Sequence, residues 1–207
     1  MAMGLLGVHD GLLASGRLPA LARAGRAISL VEVAALILFG VAAAGLSVAL
    51  PDLRLQIPGH AVLRSVFPMA LGLAIVPRQW GGCIMGGSAL ATALLLRVGG
   101  VGGVGAGAIT SLTLTGPLLD LALWGARDGW RLYLGFVLAG LASNLLAFGM
   151  RWGALALGLD IGGGGGFASR FVLACFTYPA CGILAGLVSA AFWFHFRPHE
   201  RAQEVTP

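Results

Sequence analysis

The chain has 207 residues, of which 58% are hydrophobic and only 10% charged, with a mean hydropathy of +0.92. A soluble domain has roughly a quarter of its residues charged, so this chain cannot clothe a water-exposed surface and reads as an all-α membrane protein covered largely by lipid. Its net charge of +5 comes wholly from arginine; the arginines stand singly between apolar runs, which excludes the clustered basic patch of a nucleic-acid binder.

Residues 1–28 mix Leu with Arg and Gly and read as a cytoplasmic or interfacial segment, either an amphipathic helix or a flexible tail. His9, Asp10 and Gly11 interrupt it early, unlike the unbroken apolar core of a cleaved signal peptide, so the first long apolar run is expected to be retained. A spanning helix needs about 20 apolar residues. Six segments qualify or nearly qualify: 29–50, 61–76, 81–96, 104–124, 132–157 and 171–196. Together they predict one compact six-helix bundle over 29–197, followed by a cytoplasmic tail, 198–207. The second and third segments are short, and Pro68 interrupts the second, so a re-entrant hairpin is the alternative to two full spans. The tract Gly162–Gly166 before the last helix reads as a flexible loop.

With six spans, eight arginines (17, 23, 26, 78, 127, 131, 197, 201) fall on one side and five (54, 64, 97, 151, 170) on the other. The positive-inside rule then places both termini in the cytoplasm of a cell-membrane protein. Trp80, Trp124, Trp130 and Trp193 lie near predicted helix ends on the cytoplasmic side, as an interfacial belt would. The 34 glycines exceed the usual ~7%, and small residues let membrane helices approach closely. Gly40 and Ala44, like Gly45 and Ala49, make flat strips on the first helix. Cys83, Cys175 and Cys181 all lie in apolar runs and read as buried thiols.

Few residues offer chemistry. His60 follows Pro58-Gly59 at a helix start, where free amides and the positive dipole end favour a neutral imidazole, able to bind a metal or accept a hydrogen bond. The simpler alternative is a His that caps the loop. Asn144 sits mid-span and must find a polar partner, a helix or a ligand. Thr110, Ser111, Thr113 and Thr115 cluster in the fourth helix; their hydroxyls either bond to their own backbone or line a site. Asp120 is placed to pair with Arg127 two turns on, and Glu32 to snorkel to the interface. Gly86-Gly87-Ser88-Ala89 lacks the strand-turn-helix context of a serine nucleophile, and no Walker or HExxH motif occurs. The chain is therefore expected not to be an enzyme and not to hydrolyse ATP itself.

Gly59-His60 at a helix start, Leu71-Gly72 leading to Pro77, and Ile84-Met85 are followed by a Gly-rich stretch, Gly99 to Gly107, and a polar helix carrying Gly116-Pro117. This order, from Ile57 to about Leu123, resembles the substrate-binding (S) components of energy-coupling-factor (ECF) transporters, in particular the cobalt/nickel-uptake (CbiM-like) branch. The resemblance covers about a third of the chain. It implies a membrane-embedded component of an ABC-type importer that binds its substrate near the outer face, a Co or Ni ion or another micronutrient. His60 would be a metal ligand, with Asn144, Thr110, Ser111 and Thr113 lining the site, and no covalent cofactor is implied. Such components dock on a transmembrane coupling subunit through small residues of the first helix, here Gly40 and Ala44, and two ATPase subunits drive the complex. The metal branch begins Met-His and supplies its amine and a second imidazole to the ion, whereas this chain begins Met1-Ala2-Met3-Gly4, with His9-Asp10-Gly11 only a distant echo of the run that follows. His60 alone does not complete a square-planar nitrogen site, which leaves a metal complex or a small organic molecule as the alternative cargo. The competing reading is a small polytopic subunit or assembly factor with no substrate of its own.

Overall fold

The structure, a computed structural model, describes residues 28–49, 58–101, 105–125, 129–159 and 170–196. The expected N-terminal segment up to residue 27, Arg127, the Gly162–Gly166 tract and the tail lie outside the described residues. Those described form six helices and no strand: α1 Leu30–Ala49, α2 Ala61–Ile75, α3 Gly81–Val98, α4 Ala106–Gly125, α5 Gly129–Ala156 and α6 Phe171–Phe196. Five are long and apolar enough to cross a bilayer, and their outward faces are apolar, with Leu38, Leu95, Leu138, Phe176 and Leu184 all exposed. The chain is a multi-pass helical membrane protein. The third segment, doubtful on length, reaches Val98 as an 18-residue helix and qualifies.

α2 is the exception, and it organises the rest. Its 15 residues rise about 22 Å, short of the ~30 Å hydrocarbon thickness. Nothing from Ala61 to Ala74 is exposed, and α2 packs against all five other helices. Those five form an arc around it, with α1 on α3, α3 on α4, α4 on α5 and α5 on α6. A helix too short to span is tolerable here because protein surrounds it.

Glycines set the spacing of the arc. A Cβ on Gly182 would sit 2.8 Å from the Gly140 carbonyl oxygen, and one on Gly86 would sit 2.7 Å from that of Thr113. These helices touch backbone to backbone, gaining dispersion contacts where lipid removes the hydrophobic drive. The Gly40/Ala44 strip is used the same way, which corrects its expected role in docking. Both residues are buried, and a Cβ on Gly40 would collide with Ser88 Oγ and the Met85 carbonyl of α3. The strip is an internal α1–α3 contact, because the smallest residues are taken up where two backbones must meet.

Polar groups secure one end of the bundle, here called proximal, where α1, α3 and α5 begin. Ser29 and Glu32 form a capping box: the Ser29 amide donates to Glu32 Oε2 (2.9 Å) and the Glu32 amide to Ser29 Oγ (3.2 Å). The Arg78 guanidinium then clasps the same carboxylate, Nε and Nη2 lying 3.0 and 2.9 Å from Oε1. The turn after α2 is thus tied to the start of α1. Asp120 of α4 accepts the Gly82 amide on Oδ1 (2.9 Å) and the Cys83 amide on Oδ2 (2.8 Å). It caps α3 from another helix, satisfying two of the amide donors that a helix start leaves open. Of the tryptophans near helix ends, Trp80, Trp124 and Trp130 are exposed, whereas Trp193 is fully buried in the core and so has no place in a belt. Of the three thiols only Cys181 is buried; Cys175 is exposed on the lipid-facing surface and Cys83 is half-buried.

Gly40→Leu is expected to destabilise the isolated protein by about 1–3 kcal/mol, the usual cost of overpacking. Gly45→Ala, with open space around its Cβ, should change stability by less than ~0.5 kcal/mol. Reversible unfolding of the two variants in mixed micelles measures the difference.

Candidate functional site

The distal end of the bundle, where α2, α4 and α6 begin, holds the residues singled out from sequence. His60 occupies the N-cap position of α2 and is half-buried, its side chain making no capping bond to the helix. The preceding Gly59 is buried and has a φ of +87°. A Cβ there would lie 3.0 Å from Tyr178 Cα and 3.1 Å from Asn144 Nδ2, so both the backbone conformation and the space require glycine.

Asn144 holds this turn in place. Its Nδ2 donates to the Gly59 carbonyl (3.1 Å) and to the Tyr178 carbonyl (2.6 Å), joining the turn, α5 and α6. These bonds also fix the depth of the turn. From Asn144, α5 continues to Ala156, about 18 Å further. α6 starts at Phe171, about 10 Å above Tyr178, and the Phe171 ring lies 5.8 Å from Phe148 and 6.2 Å from Trp152. The Pro58–His60 turn therefore sits below the distal rims of both helices. Irregular backbone at that depth needs protein or water around it, and Asn144 supplies the protein partner for Gly59.

A hydroxyl seam continues inward. Thr115 Oγ1 pairs with Ser143 Oγ at 2.8 Å and with Ser65 Oγ at 3.5 Å, and Ser65 Oγ donates to the Val62 carbonyl at 3.1 Å. All three residues are fully buried. Ser143 adjoins Asn144, so seam and turn form one continuous polar stretch between α2, α4, α5 and α6. Ser111 lies one turn distal of Thr115 on α4; it is buried, and its hydroxyl has no partner among the described residues.

The sequence-derived set is thus partly brought together. Asn144 and the His60 turn meet directly. Ser111 shares a face of α4 with Thr115 and stays available. Thr110 and Thr113 direct their hydroxyls to their own helix, to the carbonyls of Ala106 and Ile109, both at 2.9 Å. Three groups were missed. Ser65 and Ser143 are signalled only as isolated hydroxyls in apolar runs, and Arg64 only by its position four residues after His60. Among the described residues no group of three or more His, Cys, Asp or Glu side chains is placed to hold a metal ion. No family model, curated protein or solved structure matches the chain, so the functional reading rests on this geometry alone.

Both partners of the Asn144 amide are carbonyl oxygens, so only a donor serves at that position. Asn144→Ala should cost about 1–3 kcal/mol, because it strands a buried acceptor. Asn144→Asp should cost more, since a carboxylate facing two carbonyls is repelled by both. Chemical unfolding of the purified variants gives the ranking, and equal stability of Asp and Asn would remove this account of the turn.

Proposed function

We propose that the chain is the substrate-binding component of an ECF-type importer, set in the cell membrane with both termini cytoplasmic. The observation that carries this reading is the short central helix, whose His60 turn is held below the distal rims by Asn144. Such a site is reached from one side of the membrane while the helix beneath it closes the other. That is the arrangement a capture component needs, because a substrate must be held at depth without a continuous leak. On this reading the distal end faces outward, consistent with the lower arginine count on that side. The cargo is a small micronutrient or a transition-metal species, held by His60 with Asn144 and Ser111 nearby. A coupling subunit and ATPase subunits supply the energy that this chain has no motif to harvest.

Gly40 and Ala44 are occupied within the bundle, so the coupling subunit is expected on the lipid-facing surface elsewhere. Affinity purification of the tagged full chain from its native membrane is expected to recover an ATPase pair and a second membrane subunit. A complex without an ATPase would instead make the chain a structural subunit. Reporter fusions at Thr206 and within 162–166 should report opposite sides of the membrane. His60→Ala should weaken cargo binding at least tenfold, about 1.4 kcal/mol, without altering insertion or assembly; unchanged uptake would reduce His60 to a loop cap.

A further inference from the structure

α5, at 28 residues, is the longest of the described helices and carries a tryptophan near each end. Trp130 and Trp152 are exposed to nearly the same degree, 51% and 53%. The stretch between them rises about 33 Å, which at the usual helix tilt of about 20° covers about 31 Å along the bilayer normal. A hydrocarbon core is ~30 Å thick. Each tryptophan has an arginine on its inner side, Arg131 and Arg151, and no charged residue lies between those two. The Arg131 guanidinium stands 5.3 Å from the centre of the Trp130 ring. Between the two pairs, Leu134, Leu138, Leu145 and Leu146 are exposed, as a surface turned to acyl chains requires.

The neighbouring helices keep the same spacing. Trp80 occupies the N-cap of α3 and Trp124 the last turn of α4, and both are exposed at the proximal end. Trp80 has a φ of 70°, the one positive value among the described non-glycine residues, in a conformation disfavoured for a bulky side chain. From Trp80 to Arg97, exposed near the distal end of α3, the rise is about 26 Å, and a long arginine side chain reaches further. α1 rises about 30 Å from Leu30 to Ala49. An indole combines an apolar body with one N–H donor, so it settles where hydrocarbon meets the headgroups.

We infer that α5 fixes the depth of the bundle in the bilayer through contact with both headgroup layers. Trp130, with Trp80 and Trp124, lies at the proximal boundary between hydrocarbon and headgroups, and Trp152 lies at the distal one. Asn144 is then about 12 Å along the helix axis beneath the distal boundary, which sets the Gly59 turn that it holds at hydrocarbon depth. The Glu32–Arg78 clasp lies near the proximal boundary, where an ion pair reaches water. This register is independent of the importer reading, because it rests on lipid contact alone.

Depth-dependent quenching of tryptophan emission in phosphatidylcholine vesicles tests it. Buried Trp193 stays in every variant as a background, measured in a chain whose other four tryptophans are replaced by phenylalanine. Trp130 or Trp152, restored singly, is expected to add emission that a nitroxide near the headgroup end of the acyl chain quenches more strongly than one near the methyl end. Stronger quenching by the methyl-end probe at either position, or quenching there by neither probe, overturns the register. The intact chain gives a second reading: its melting temperature should pass through a maximum in bilayers with a hydrocarbon core of about 30 Å. A steady rise or a steady fall from thin to thick bilayers contradicts the match.

Discussion

The two hydrogen bonds donated by Asn144 are the interaction on which the distal half of this bundle depends. In a hydrocarbon environment each unsatisfied backbone carbonyl costs several kcal/mol, so a helix that stops short of the surface must have its leading turn satisfied by neighbours. Asn144 does this for Gly59 and at the same time holds Tyr178 of α6 against α5. Without that amide, the Gly59 and Tyr178 carbonyls lose the donor they share. The depth of the His60 turn follows from a central helix that ends early.

The two ends of the molecule solve different problems. At the proximal end, acidic side chains meet helix starts and one arginine, so every described carboxylate has a structural task and the end is tied shut. At the distal end the described polar groups are amide and hydroxyl: Asn144 holds the Gly59 turn, and Ser65, Thr115 and Ser143 share a buried hydroxyl seam. Glycine contacts such as Gly140 with Gly182 hold α5 against α6 along their middle.

Much of the bundle was legible because hydropathy reports on lipid directly. All six segments were located to within a few residues, and α3 starts at Gly81 as its sequence suggested. What hydropathy does not report is which face of a helix looks inward. Gly40 and Gly45 are equivalent as letters, yet one meets the backbone of α3 and the other open space. Trp193 lies near a helix end, like the belt tryptophans, and yet is fully buried. Asn144 was recognisable as a residue needing a partner, but that partner is a carbonyl far away in sequence, fixed only by tertiary packing. Arg64 was legible as a topological charge, and its place one turn along α2 from His60 follows once that helix is known to start at Ala61.

Accessibility of position 60 tests the central claim most directly. In a chain with Cys83, Cys175 and Cys181 replaced by alanine, a membrane-impermeant maleimide is applied separately to each face against His60→Cys and Leu157→Cys. The account predicts that both positions react from the same face only, the one opposite Thr206, with position 60 slower because it lies below the rim. A Cys at position 60 that is inert from both faces, or that reacts from the Thr206 side, would contradict a His60 turn reached from the distal end.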